Sequence, residues 1–355
     1  MQKRVRASWS EPYLKAELHD PIEGFRVETA SAGPVHGASD LRLIDGRLWI
    51  AQDDSAFVAV LDCDPAGRIS ESCRAELHPL FPQLAATHGT SPVPKSERPD
   101  IEALARLQTP DGLRLLALSS GATAPRRFAA LLDPAKGNAP LLAQGRLESF
   151  FEHLAVRWDI VGTELNLEGA LGLGDRVRFL QRGNGALRGN RQGHNTVFDI
   201  GLADWNEYLQ AAFRDPAAPF HYDTIFNIFG YDLGKIDSVR LTFSGADEFA
   251  AEWSLYTGSA EDCADVFGDG PTVGAVLGLL ASDGRALQTP LRAPDGSLVR
   301  QKVEGIAALG SDTDAIEVLL AVDPDGAGAS PFLHGVLHGP LVARVLEETT
   351  ARPLR

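Results

Sequence analysis

The sequence predicts an all-β chain folded as a five-bladed β-propeller. Three observations carry that reading. A short phrase recurs at near-constant spacing, each recurrence heads a group of strand-length apolar runs, and no βαβ alternation interrupts them. Ile101-Glu102-Ala103, Leu167-Glu168-Gly169 and Val303-Glu304-Gly305 each join an apolar residue, an acid and a small residue at the mouth of an apolar run. Ser39-Asp40-Leu41 and Asp237-Ser238-Val239 are weaker copies. Registered at Ser39, Glu102, Glu168, Asp237 and Glu304, the five stand 63, 66, 69 and 67 residues apart.

Residues 1–38 precede the first repeat and include the strand-like "FRVETA". The first repeat reads as "SDLRLI", turn "DG", "RLWIAQ", loop, "FVAVLD", turn "DPAG" and "RISESCRAEL". That is four alternating runs punctuated by turn residues. The second gives "IEALARL", "LRLLALS", "RFAALLD" and "APLLAQG"; the third gives "LEGALGL", "RVRFLQR" and "NTVFDIG". The last, "VEGIAAL", "IEVLLAV" and "FLHGVLH", is one strand short, so the N-terminal segment is expected to complete it and close the ring. Residues 1–355 then form a single propeller domain with repeats starting near 39, 102, 168, 237 and 304. A two-domain β-sandwich, the competing arrangement, would not space its phrases so evenly.

Composition narrows the function. A 44% hydrophobic chain can bury a large core, and no apolar run approaches the roughly 18–20 residues that span a bilayer. The basic start "MQKRVRASWSEPYLKAELHD" has no apolar stretch behind it and is not a secretory signal. Cys63, Cys73 and Cys263 are odd in number and lack metal-type spacing, which reads as free thiols in a cytoplasmic protein. A net charge of −15 argues against nucleic acid or an anionic membrane as partner.

In a propeller the first strand of each blade lines the central channel, so the five registered residues converge on one axis. Four carboxylates so close would repel unless protonated or neutralised by a cation. Oxygen-only donors suit a hard ion, Ca²⁺ before Mg²⁺. Ser39, Glu102, Glu168, Asp237 and Glu304 are therefore the candidate metal ligands, with Ser238 competing for the fourth place. Acids solvated at a water-filled mouth, or Glu-Gly chosen for a tight strand entry, are the alternatives.

The phrases "PDIEALA", "LLALSSG", "LNLEGAL", "FLQRGN" and "KVEGIAAL" resemble bacterial propeller proteins grouped with the esterase-like phytase family. The ring is similar to that of calcium-activated nucleotidases (apyrases), five-bladed propellers that hold Ca²⁺ on the axis with Glu and Ser. "SDLRLIDGRLWIAQDDSAFVAVLD" is similar to their first blade. An Asp in the fourth place and the lack of a secretion signal depart from that pattern.

Loops between second and third strands emerge at the face where the first strands begin. They carry Asp53, Asp54, Arg126, Arg127, Arg182, Asn184, Arg191, Asn195, Asp323 and one imidazole, His194. Arg126, Arg127, Arg182 and Arg191, with Asn184 and Asn195, are candidates to bind a small anionic molecule, since guanidinium groups fork onto phosphate or carboxylate. Each would equally serve as an ion-pair partner of a neighbouring acid. His194 is the candidate general acid–base. The aromatic connections "RLESFFEHLAVRWDIVG" and "LADWNEYLQAAFRDPAAPFHYD" would either roof the mouth or pack against the blades. No nucleophile elbow, zinc motif or phosphate-binding Gly-rich loop is present. The leading expectation is a metal-dependent hydrolase of phosphoesters or phosphoanhydrides. The alternatives are a non-catalytic binding propeller with a structural ion, and a lactone or ester hydrolase.

Overall fold

Asp45 and Gly46, with φ of 50° and 75°, form the kind of two-residue turn that joins twisted antiparallel strands, and the Asp-Gly dipeptide of the first repeat is there for that reason. The hairpin it closes belongs to the first of five small antiparallel sheets arranged as a five-bladed β-propeller. The structure, a computed structural model, describes residues 14–15, 17–18, 28–31, 35–64, 69, 74–250, 252–266, 268, 270–312, 314–324 and 328–350. Cys73 lies outside them, and Cys263 is a free thiol.

From the channel outward, blade one is Ala38–Ile44, Arg47–Gln52, Phe57–Asp62 and Glu76–Pro79. Blade two is Ile101–Thr109, Gly112–Ser119, Phe128–Leu132 and Leu141–Arg146. Blade three is Leu167–Leu173, Arg176–Gln181, Asn195–Gly201 and Ile225–Asp232, the last reached through a helix, Leu202–Ala212. Blade four is Val239–Glu248, Trp253–Glu261, Thr272–Ala281 and Ala286–Pro290. Blade five is Lys302–Ser311, Ala315–Asp323 and Pro331–His338, completed by the N-terminal strand Glu28–Ser31. Ser31 pairs with Pro331 and Glu28 with His334, antiparallel, so the ring closes as the missing fourth run requires. Ahead of that strand the chain also runs parallel to the edges of blade three, at Leu14–Lys15, and of blade four, at Glu17–Leu18.

Apolar faces of neighbouring blades interdigitate. Leu41 and Ile50 of blade one meet Ala307, Leu319 and Phe332 of blade five, while Trp49 and Val58 meet Leu104 and Ala117 of blade two. The aromatic connections pack rather than roof the mouth. Phe150, Phe151, Leu154 and Trp205 are fully buried in one cluster with Phe179 and Phe198. No helix among the described residues is long and apolar enough to cross a membrane.

The first strands approach one another closely. A Cβ on Gly245 would lie 1.7 Å from the carbonyl oxygen of Glu304, so the Gly of the recurring phrase is a contact between blades. Deeper in the channel a buried ion network fills the axis. Asp40 and Arg42 come from blade one, Arg106 from blade two, and Asp247 and Glu248 from blade four. Arg42 also donates to the Ala170 carbonyl at 2.9 Å, Glu248 accepts from the Gly172 amide at 2.7 Å, and Asp247 accepts from the Ala308 amide at 2.8 Å. All five first strands are tied into this plug.

Candidate cation site at the channel mouth

A bulge at the start of each first strand turns one side chain toward the axis. The ladder breaks its register between Ala38 and Asp40, Ile101 and Ala103, Leu167 and Gly169, Phe243 and Gly245, and Val303 and Ile306. Ser39, Glu102, Glu168, Ser244 and Glu304 are the residues so displaced, and each is at least nine-tenths buried. The two serines bond sideways: Ser39 Oγ donates to the Ile101 carbonyl at 2.5 Å and Ser244 Oγ to the Val303 carbonyl at 2.7 Å. The glutamates face one another.

The fourth position is therefore Ser244, and neither Asp237 nor Ser238 reaches it. Those two form the turn of a short hairpin, with φ of 47° and 70°, ahead of a ten-residue first strand. Asp237 is 58% exposed and paired with Arg300 at 3.1 Å. The inserted hairpin displaced the register, although Phe243-Ser244-Gly245 carries the apolar, oxygen-bearing, Gly pattern of the other blades.

Around the glutamates the loops bring further charge. Arg182 is 4% exposed and lies among three carboxylates: it pairs with Glu261, with Glu168 Oε1 at 3.3 Å and with Glu304 Oε1 at 4.0 Å. Lys302 Nζ bridges Glu304 at 3.0 Å and Asp323 at 2.9 Å. On the other side, Arg98 holds Asp53 at 2.6 Å, and Arg126 holds Asp100 at 3.1 Å, which also accepts from Ser120. Oxygens of Asp53, Asp100 and Glu102 lie within 4.8 Å of one another.

Unlike Glu168 and Glu304, Glu102 has no ion pair among the described residues. Its Oε2 is buried without a hydrogen-bond partner, and so is Oε2 of Glu168. Burial first, then the charges of Glu168, Asp100, Glu304 and Asp53, push the Glu102 carboxyl well above its ordinary range. Burial also lifts Asp53 to about 7 and raises Asp100, Glu168 and Glu304. Among the described residues, Asp53, Asp54, Asp100, Glu102, Glu168, Glu261, Glu304 and Asp323 gather around Arg98, Arg126, Arg182 and Lys302.

Arg127 pairs with Glu148 at 3.0 Å and Glu152 at 3.2 Å, away from the glutamates. Arg191 lies over the Trp158 ring at 5.3 Å. Asn195 is a buried latch, accepting from the Gly183 amide at 2.9 Å and donating to the Leu241 carbonyl at 2.9 Å. Asn184 joins the mouth through Asn166, whose Nδ2 also donates to Glu168 at 2.7 Å. His194 is half-buried against blade three, and burial lowers its pKa. Asp100 escaped the reading as a ligand, yet Asp100 and Glu102 alternate as residues of one strand face do. Asp100 also has a φ of 59°, a strained geometry for a side chain other than Gly.

The family of unknown function DUF6929 matches residues 34–337 of the chain. No curated protein matches. Among solved structures, the chain is similar to a protein of unknown function from Dyadobacter fermentans DSM 18053, at 11% identity and a TM-score of 0.35, over 90% of this chain and all of that one. PorZ, an essential bacterial surface component of the type-IX secretion system of Porphyromonas gingivalis, is similar at 10% identity and a TM-score of 0.31. That match takes in 88% of this chain and 39% of PorZ. Apo AztD from Citrobacter koseri follows at 10% identity and a TM-score of 0.24, over 85% and 76% of the two chains.

Proposed function

This chain belongs to DUF6929, and we propose that it is a propeller that binds one divalent cation in its mouth, with Asp53, Asp100 and Glu102 as ligands. The observation that carries the reading is Glu102, a buried carboxylate with one oxygen unpartnered among four further acids. Among the described residues the mouth has more carboxylates than cationic side chains, an imbalance that protons or a metal ion must offset. On the side of blades one and two, Arg98 and Arg126 pair with Asp53 and Asp100, and Glu102 beside them has no ion pair among the described residues. Oxygen donors of irregular arrangement favour Ca²⁺ over Mg²⁺.

Binding is favoured over hydrolysis of a phosphoester, phosphoanhydride, lactone or ester. Arg126, Arg127 and Arg182 are engaged by carboxylates, so the anion receiver that phosphoryl chemistry would need is missing from their number. Melting of metal-free protein tests the reading. Calcium at a hundredfold excess over Kd should add about 2.7 kcal/mol of stability. Glu102→Gln should abolish that gain, while Asp237→Asn should leave it intact. A melting temperature indifferent to millimolar Ca²⁺ and Mg²⁺ would overturn the proposal.

A further inference from the structure

Among the described residues the exposed large apolar side chains are Leu142, Val156, Trp158, Leu187 and Tyr222. All but Leu142 gather on one cap of blade three. Val156 and Trp158 lie at the end of the helix Glu148–Ala155 and the start of the helical turn Trp158–Val161. Tyr222 stacks on His153 of that helix with ring centroids 5.1 Å apart. The loop carrying Leu187 folds back on itself through Arg188 and Arg191, whose backbones exchange hydrogen bonds of 3.0 and 3.2 Å. It is anchored against the helical turn by the His194 amide, which donates to the Val161 carbonyl at 3.1 Å, and by Arg191 on the Trp158 ring.

On a molecule of net charge −15, Arg188 is 64% exposed with Glu164 as its partner, and Arg191 has no carboxylate partner among the described residues. A guanidinium placed over an indole can still fork its N–H groups onto a carboxylate. Trp and Arg, set together and exposed, are the residue types that anchor protein interfaces.

We propose that this cap docks a short protein segment presenting acidic side chains beside an aromatic or aliphatic one. The apolar residue covers Trp158 and Leu187, and the acids meet Arg191 and Arg188. The proposal is independent of the cation in the mouth.

The test is a random-peptide library panned on the whole protein, with Trp158→Ala and Arg191→Glu variants for comparison. Enriched peptides should combine Asp or Glu with an apolar residue, and should bind each variant at least about tenfold more weakly. They should also shift the tryptophan fluorescence of the protein, and that shift should be lost in Trp158→Ala. A basic consensus, or peptides indifferent to both substitutions, would overturn the proposal. So would a dimer in sedimentation that Trp158→Ala dissolves, which would assign the cap to a second copy instead.

Discussion

Arg182 shows how far one residue's role depends on partners distant in sequence. Read from its loop, it is a guanidinium at a channel mouth, apt for a phosphate. In the structure it is the counter-ion of Glu168, Glu261 and Glu304, and its Nε donates to Thr242 at 3.2 Å. Removing one partner from a buried ion network strands the others, at a cost of about 3–5 kcal/mol. Arg182→Met should therefore lower stability by that order in urea unfolding at pH 7. The loss should shrink toward pH 5, as Glu168 and Glu304, whose carboxyls burial already raises, take up protons. A neutral substitution would mean that the glutamates do not rely on Arg182. Glu102, Glu168 and Glu304 were legible because they recur in a fixed phrase. The pairings were not, because Glu261 lies 79 residues from Arg182 and reaches it only through the closure of neighbouring blades.

At the scale of elements, blades one, two and five were legible almost strand for strand, since their apolar runs end at Asp-Gly, Asp-Pro and similar turns. Blade three hid its fourth strand, Ile225–Asp232, behind the helix Leu202–Ala212. Blade four hid its register behind the hairpin at Asp237 and Ser238, so even spacing selected the wrong residue for the ring. The closing strand is the element on which the ring most depends. A chain lacking residues through Ser31 would leave Pro331–His338 with an open edge, ready to pair with another chain. Such a chain should melt lower and form concentration-dependent aggregates in light scattering. If it stays monodisperse with an unchanged melting temperature, Glu28–Ser31 is not what closes blade five.

At the scale of the whole molecule, two charged layers lie on one axis: a plug that ties the five blades and a mouth that faces solvent loops. The plug sets Asp40, Asp247 and Glu248 against Arg42 and Arg106. Burial lifts Asp40 to about 7 and Asp247 to about 6 from an ordinary 3.8, against the pull of Arg42 and Arg106. Carboxyls raised in the folded state keep protons that the unfolded chain has already released. Their contribution to stability is thus full below about pH 4 and is lost as pH rises through about 6–7. Asp40→Asn should flatten that slope in melting curves recorded between pH 4 and pH 8; an identical slope would exclude Asp40 as its source. The mouth carries the central claim, that a divalent cation sits beside Glu102. Anomalous diffraction from crystals of the whole protein grown with Mn²⁺ tests it most directly. A single strong peak is expected within coordinating distance of Asp53, Asp100 and Glu102, lost in Glu102→Gln. Full density for the three carboxylates with no peak between them at millimolar Mn²⁺, or a peak only elsewhere on the surface, would contradict it.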